Sequence, residues 1–198
     1  MEKPIIAISL SGVTVSSEPF RRMHDFGINE LAKLSGMPEL IEKKDSSKYF
    51  VYVKKALENV YYDLSMEKAI VKRRNQYCRR VVDLIGENPG FIRRDVIRFL
   101  RDVKDNYRLV IVTSFLEKYV REILKEAEID DIFDFISASK EEEEDDKEIV
   151  MTRLISEFGR PKKFIGSKKS EKICKKFDIE LIEFDCDRDR VMKLERAL

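Results

Sequence analysis

The sequence has no tryptophan, one histidine and three cysteines among its 198 residues, so it offers few soft metal ligands and few partners for a disulfide. Cys78, Cys174 and Cys186 lack the short paired spacing of a structural zinc site. Their odd number favours free thiols in a reducing compartment, with a Cys174–Cys186 disulfide as the alternative. We therefore expect no metal bound through cysteine.

Long apolar runs are also missing. No segment approaches the length of a membrane span, and the first residues lack the basic region, apolar run and cleavage site of a secretory signal. We expect a cytoplasmic protein with no membrane partner.

Neither sign of charge predominates. The 39 basic and 38 acidic side chains leave a net charge of +1, which argues against a nucleic-acid partner. Charged residues make up 39% of the chain, a density typical of thermophile proteins, in which ion-pair networks gain value. The apolar fraction of 43% suffices for a core in a chain of this length.

The region from about residue 18 to residue 88 is helical in pattern. Apolar residues recur at helical spacing over 20–34, 49–64 and 65–86, which predicts three helices. Lys72 and Arg80 fall near one face of the third, together with Arg73. We interpret this basic face as a solvated helix surface. The alternative is that it attracts a phosphorylated ligand or an acidic partner.

Strands and helices alternate in the rest of the chain. Apolar runs predict strands at 5–10, 108–113, 132–136, 163–165 and 179–184, with helices between them. Short connections of this kind give right-handed parallel crossovers, so we predict an α/β fold with a doubly wound parallel sheet covered on both faces. Residues 1–16 and 89–198 would form this core domain, and residues 17–88 an inserted helical domain. Ligands of such sheets bind outside the carboxyl ends of the strands.

Hydroxyl side chains end the first two strands of this predicted core. Ser9 and Ser11 end the first strand, Gly12 follows in a tight turn, and Thr113 and Ser114 end the second. A serine hydroxyl is a weak nucleophile unless a base activates it, and it does not shuttle protons near neutral pH. Taken alone, the first group fits an ordinary strand end and turn, and the second fits a helix cap.

The order of these segments resembles the haloacid dehalogenase-like superfamily, in the branch with a helical cap between its first two motifs. The resemblance covers the whole chain, and residues 89–114 match the stretch that leads into the family's second motif. It implies a Rossmann-like core, with residues 17–88 as a cap that could close over the site.

The resemblance assigns roles to the strand ends. In the family's first motif, Asp-x-Asp-Gly, one aspartate becomes phosphorylated and the other acts as general acid and base. Here Ser9 and Ser11 occupy those two positions, and Gly12 matches the glycine. In the second motif a hydroxyl and the backbone hold the phosphate. Thr113 matches that residue, with Ser114 beside it.

The third and fourth motifs of the family supply a lysine and metal ligands. Lys147 matches the lysine that neutralises the phosphate, and Lys140 is the other candidate. The fourth motif, Gly-Asp-x-x-x-Asp, corresponds to residues 166–171, where Ser167 and Glu171 stand at the acidic positions. Magnesium prefers anionic oxygen ligands, so Glu171 is the one remaining candidate in these motifs and we expect no metal cofactor.

These altered motifs predict a non-catalytic homologue of haloacid dehalogenase-like hydrolases that binds a phosphorylated small molecule or a protein partner. The expected ligand-binding residues are Ser9, Ser11, Gly12, Thr113, Ser114, Lys147 and Ser167. The alternative is an active, non-standard phosphatase or hydrolase, with Ser9 or a bound water as the nucleophile and Lys147 assisting. A third interpretation is a scaffold whose helical domain binds another protein.

Overall fold

The computed structural model describes residues 3–143 and 146–198, and the chain divides into two compact units. One unit contains the chain up to Glu18 together with Val82–Leu198, and the other is Pro19–Val81. The second unit lies within the expected insertion, 17–88. Within the described ranges, no helix combines the length and the apolar character that crossing a bilayer requires.

The smaller unit is helical. Its helices are α1 (Glu18–Ser35), α2 (Glu39–Glu42), α3 (Tyr49–Val60) and α4 (Met66–Glu87), of which α1 and α4 extend past the unit's boundaries. Helix α1 ends at Gly36, whose φ of +69° is readily adopted by glycine. Apolar residues from all four helices and their connections form one buried cluster: Ile28, Leu31, Ala32, Met37, Leu40, Ala56, Leu57, Tyr61 and Ala69.

The larger unit is built on a five-stranded parallel sheet in the order β3-β2-β1-β4-β5. The strands are β1 (Ile5–Ser9), β2 (Arg108–Leu116), β3 (Phe135–Ser139), β4 (Lys163–Gly166) and β5 (Glu180–Glu183). The predicted α/β fold with a parallel sheet is confirmed.

Helices connect the strands and cover both faces of the sheet, as right-handed crossovers require. They are α5 (Arg94–Val103), α6 (Glu117–Glu126), α7 (Lys147–Glu157), α8 (Glu171–Phe177) and α9 (Met192–Ala197). Short 3₁₀ turns lie at Pro89–Phe91, Asp130–Ile132 and Lys168–Ser170.

The core of this unit surrounds β1, in which all five residues are buried. A strand that is buried on both faces has no polar side, which explains its apolar sequence. On one side of the sheet, residues of the strands pack with α7 and α8: Ile5, Ala7, Val110, Val112, Val150, Met151, Leu154, Phe164, Cys174 and Ile179.

The expected strand at 132–136 is displaced in the structure. Residues Asp130–Ile132 form a 3₁₀ turn, and β3 begins only at Phe135. Asp134 exchanges hydrogen bonds with Leu109, because its N–H donates to the Leu109 carbonyl and its carboxylate accepts from the Leu109 N–H, both at 2.8 Å. The apolar side chain of Ile132 is buried in the preceding turn, which explains why a pattern of apolar residues suggested an earlier strand.

Candidate functional site

The register of the sheet brings the polar strand ends together at one edge. Ser9 is paired with Val112, so Thr113 lies one residue beyond it on β2. Ile8 is paired with Ile165 on the other side, so Gly166 lies beside the end of β1. The carboxyl ends of parallel strands are where ligands bind in open α/β sheets.

The chain turns sharply after β1. Gly12 has a φ of +79°, which glycine adopts without strain, and its N–H donates to the Val15 carbonyl at 2.7 Å. Ser11 forms an isolated bridge with Val15 in the same turn. The Cys186 N–H donates to the Gly12 carbonyl at 2.8 Å, so the segment after β5 is packed against this turn.

Lys147 reaches the end of β1 from the first turn of α7. Asp146 caps this helix, since its carboxylate accepts from the Glu148 N–H at 2.7 Å, and the cap fixes where Lys147 emerges. The Lys147 Nζ donates to Ser9 Oγ at 3.0 Å and to Ser170 Oγ at 3.2 Å. It also lies 4.7 Å from the centre of the Phe164 ring, within the range of a cation–π contact.

The surroundings of Lys147 act on its charge. Part of the residue is exposed, but burial of the ammonium group lowers the pKa of Lys147 from 10.5 to about 8. The charge interaction with the nearby Cys174 acts in the opposite direction, and burial is the larger of the two effects. At neutral pH the side chain therefore remains mostly protonated, with two neutral hydroxyls and an aromatic ring as its contacts.

Lys140, the other candidate for the family's lysine, has different surroundings. It is exposed, and its backbone N–H donates to the Glu143 carboxylate at 2.8 Å. It lines a cavity of about 330 Å³ at the ends of β2 and β3, together with Leu116 and Ser139. The hydrogen bond to Ser9 thus distinguishes Lys147 from Lys140.

Gly166 lies close to both Phe164 and Ser9. A Cβ atom at this position would lie 2.5 Å from Phe164 Cε1 and 3.1 Å from Ser9 Oγ. Because Phe164 is fully buried, its ring has little room to yield. The absence of a side chain at Gly166 is therefore what lets β4 pass so close to the Ser9 hydroxyl.

The other hydroxyls at this edge are partly exposed. Thr113 and Ser114 lie inside β2, which continues to Leu116, and Thr113 Oγ1 accepts from the Phe115 N–H at 3.2 Å. They therefore do not cap α6, because Leu116 occupies its N-cap position. Ser167 precedes the 3₁₀ turn after β4 and makes no side-chain cap. The roles of Ser11, Gly12, Thr113, Ser114 and Ser167 in ligand binding stay predictions.

The oxygen ligands at the four motif positions do not suit magnesium. Ser9, Ser11 and Ser167 offer neutral hydroxyls, whereas magnesium prefers carboxylates, phosphates and water. The Glu171 carboxylate already accepts from Lys175 Nζ at 2.7 Å, and this hydrogen bond lowers the pKa of Glu171. We therefore derive no chemistry from a metal at this site.

Two features of the site were not expected from the sequence. One is Ser170, which is buried and accepts from Lys147. The other is the group Asp185, Cys186 and Asp187, whose possible ligand atoms lie within 4.8 Å of one another. Asp187 already accepts from the Ser17 N–H at 2.9 Å and from the Ser17 hydroxyl at 2.7 Å. The contact between Ser170 and Lys147 depends on how separate segments pack, which no spacing along the chain reveals. The other three residues are consecutive, so their proximity could have been found in the sequence.

No protein-family model matches the sequence, and no curated protein matches it significantly. Solved structures do match. A haloacid dehalogenase-like hydrolase from Streptococcus pneumoniae is 18% identical, with a TM-score of 0.56 over 91% of this chain and 84% of that one. A HAD phosphatase from Thermococcus onnurineus is 17% identical, with a TM-score of 0.55 over 94% and 88%. A β-phosphoglucomutase from Clostridium difficile is 16% identical, with a TM-score of 0.57 over 98% and 97%.

At identities this low, structural matches establish the fold alone. The resemblance predicted from the sequence is therefore confirmed for the fold. The three matches cover between 91% and 98% of this chain. The chain therefore has the fold of the haloacid dehalogenase-like hydrolases and phosphatases.

Proposed function

We propose that this protein binds a phosphorylated small molecule at the carboxyl edge of its sheet and does not carry out the metal-dependent phosphatase reaction typical of this fold. The proposal is supported by one observation above all. The Lys147 ammonium is enclosed at the end of β1, where it contacts the hydroxyls of Ser9 and Ser170.

An enclosed ammonium with neutral contacts favours an anionic ligand. Burial opposes its charged form, and an arriving phosphate would restore that form by supplying the opposite charge. Thr113, Ser167 and the amides of the turn at Gly12 would complete the hydrogen bonds to the phosphate. An anion small enough to approach this nitrogen suits the site better than a protein surface, so we favour a small molecule over a protein partner.

Loss of the usual chemistry follows from the side chains at the same edge. Phosphoryl transfer needs several positive groups to stabilise the charge on the transferring phosphate, commonly including a metal held by carboxylates. Ser9, Ser11 and Ser167 supply neutral hydroxyls at the positions where the resemblance implies aspartates. Among the matched motif positions, Lys147 supplies the positive charge that would neutralise the phosphate, which supports binding without turnover.

Titration calorimetry with orthophosphate at pH 7 tests the proposal. We expect the wild type and Lys140→Gln to bind phosphate, and Lys147→Gln to bind it at least about tenfold more weakly, because one charge-assisted contact is lost. Lys140→Gln is the matched control, since Lys140 carries the same charge but lies outside the site. Equal binding by both variants would contradict the assignment of Lys147.

A non-standard hydrolase is the second candidate function. The observation that favours it is the 3.0 Å hydrogen bond between Lys147 Nζ and Ser9 Oγ, which could make Ser9 a nucleophile. Hydrolysis of nitrophenyl phosphate, with and without magnesium, separates the two candidates. Turnover that disappears in Ser9→Ala would contradict the non-catalytic proposal.

A further inference from the structure

Three side chains from distant segments meet around one nitrogen atom. Ser9 Oγ lies at the end of β1, Lys147 Nζ comes from the start of α7, and Ser170 Oγ comes from the 3₁₀ turn after β4. The two oxygens lie 3.0 and 3.2 Å from the nitrogen, and the Phe164 ring lies beside it. When its nitrogen is neutral, a lysine held in this way can accept the proton of a serine hydroxyl.

We propose that Ser9 is a nucleophile toward neutral acyl compounds, namely carboxylic esters and thioesters, with Lys147 as its general base and Ser170 as the residue that positions Lys147. This inference rests on the second candidate function and restricts its substrates to neutral acyl compounds, so turnover of nitrophenyl phosphate that depends on Ser9 would contradict it.

The transfer balances without any further reactant. Neutral Lys147 Nζ takes the proton of Ser9 Oγ as that oxygen forms a bond to the acyl carbon. The bond between this carbon and the leaving oxygen or sulfur then breaks, and the leaving group takes the proton back from Lys147. Ser9 is left as an acyl ester, and water restores the free serine by hydrolysis.

The charge of Lys147 decides between acyl and phosphoryl substrates. A phosphate monoester is an anion, so its arrival would keep Lys147 protonated and remove the base that Ser9 needs. A neutral ester has no such effect. One nitrogen cannot neutralise an anion and accept a proton at the same time, so phosphate binding and acylation of Ser9 exclude each other.

The same argument gives the pH dependence of acylation. The pKa of Lys147 is lowered to about 8, so roughly a tenth of the molecules carry the neutral base at pH 7 and most carry it at pH 9. Cys174, on α8, is the titratable group that acts on Lys147 among the described residues. Burial raises the pKa of the Cys174 thiol, so it stays neutral through the lower part of this range.

The test is acetylation of the intact protein by nitrophenyl acetate, with the modified residue identified by peptide mass spectrometry. We expect an acetyl group on Ser9, a rate that rises with a midpoint near pH 8, and slower acetylation when orthophosphate is added. Lys147→Arg keeps the charge but has no neutral form, so its rate should fall about 100-fold. Ser170→Ala should move the midpoint of the pH profile, which a purely structural role would not do.

Controls separate this site from ordinary surface chemistry. Ser156→Ala is the matched control, because Ser156 is exposed and its hydroxyl donates to the Arg153 carbonyl of its own helix. In this variant, nitrophenyl acetate should acetylate Ser9 at the wild-type rate. Hydroxylamine removes an acetyl ester from serine and leaves an acetyl amide on lysine, so it identifies the acceptor. Circular dichroism shows whether each variant is folded.

Three results would overturn the inference: no acetylation of the folded wild type at pH 9, an unchanged total rate in Ser9→Ala, or a hydroxylamine-stable acetyl group on Lys147. Its failure is distinguishable from failure of the binding proposal. Phosphate binding without acetylation would support the binding proposal and contradict the acylation of Ser9. Acetylation of Ser9 without phosphate binding would do the reverse.

Discussion

At the scale of single residues, Lys147 combines a positive charge with an enclosed position. Its pKa is about 8 in the folded protein and 10.5 when unperturbed, with burial as the main cause of the difference. Between these two values the unfolded chain binds a proton that the folded protein does not. The free energy of unfolding therefore rises with pH across this window. Below pH 8 the folded protein carries the full cost of burying the charged ammonium group.

Replacing Lys147 with methionine removes this titration. We expect the wild type to gain about 2–3 kcal/mol of unfolding free energy relative to Lys147→Met between pH 8 and pH 10.5. Urea unfolding of both proteins at several pH values measures the difference, and other titrating groups cancel in it. Lys140→Met, at an exposed position, should show no such trend. A difference that is independent of pH would contradict burial as the cause.

Part of the candidate site could be predicted from the sequence. Ser9 was identified because it ends an apolar run, and Lys147 because it matches the lysine of the family's third motif. The match left Lys140 as the other candidate, since both lysines lie between the third and fourth strands. The contact with Ser170 was missed because it depends on a 3₁₀ turn after β4, where the sequence pattern indicated a plain helix.

At the scale of elements, Glu30 joins α1 to α4. Its carboxylate accepts from Arg80 at 2.7 and 2.9 Å and from Arg73 at 2.6 Å. Arg73 also donates to the Gly27 carbonyl, and Arg80 lies over the Phe26 ring at 4.8 Å. The prediction of a plainly solvated basic face on α4 is therefore wrong for Arg73 and Arg80, since both are engaged by α1.

Glu30→Gln should destabilise the protein by about 1–2 kcal/mol at pH 7, a modest value because the pair is partly exposed. The hydrogen bond from Arg80 is the main reason that the pKa of Glu30 is lowered to about 2. This contribution is present above pH 4.5 and is lost as the pH falls toward 2. Thermal unfolding at pH 7 and pH 3 measures it.

Glu58→Gln provides the matched control on α3, where Glu58 is exposed. It should change stability by less than about 0.5 kcal/mol at either pH. If Glu30→Gln changed stability as little as this control, the cluster of Glu30, Arg73 and Arg80 would contribute nothing to the packing of α1 on α4.

Helical periodicity was the most informative signal for the elements. The apolar residues over 117–126 recur at helical spacing without interruption, which predicts a helix there, and α6 has these bounds. The pattern of the last segment predicts a helix from Arg188, but α9 begins at Met192. The reason is local hydrogen bonding: Asp189 accepts from the Asp185 N–H at 2.9 Å, and Asp185 accepts from the Asp187 N–H at 3.0 Å. Such side-chain bonds compete with helix formation.

At the scale of the whole molecule, the cysteines provide a probe for the unfolding of each unit. All three cysteines lie in the described part of the chain, are buried and are not in disulfides, which fits the expected thiols and contradicts the alternative Cys174–Cys186 disulfide. Cys78 lies in the helical unit, and Cys174 and Cys186 lie in the α/β unit. Burial raises the pKa of Cys186 to about 12, so the reactive thiolate is scarce in the folded state.

We expect alkylation by iodoacetamide in increasing urea to modify Cys78 before Cys174. The helical unit is the smaller one and buries a smaller fraction of its surface, so it should open at a lower urea concentration. Peptide mass spectrometry gives the extent at each cysteine, and complete reaction in high urea serves as the control. Simultaneous modification would show instead that the two units unfold together.

The topology was the most predictable property of the molecule. Alternating strand and helix patterns with short connections allow few arrangements other than a parallel sheet, because crossovers are right-handed. The sequence placed the first strand in this sheet, but its position between β2 and β4 was not predicted, since no local pattern states which strands pair.

The central place of β1 has a consequence for synthesis. Ile5–Ser9 leaves the ribosome before its two neighbours in the sheet, which begin at Arg108 and Lys163. The helical unit, in contrast, is one uninterrupted stretch, Pro19–Val81, and can assemble from local contacts. This apolar strand therefore remains unpaired at least until the residues of β2 have been made. Such a strand order therefore requires that chaperones protect this nascent segment.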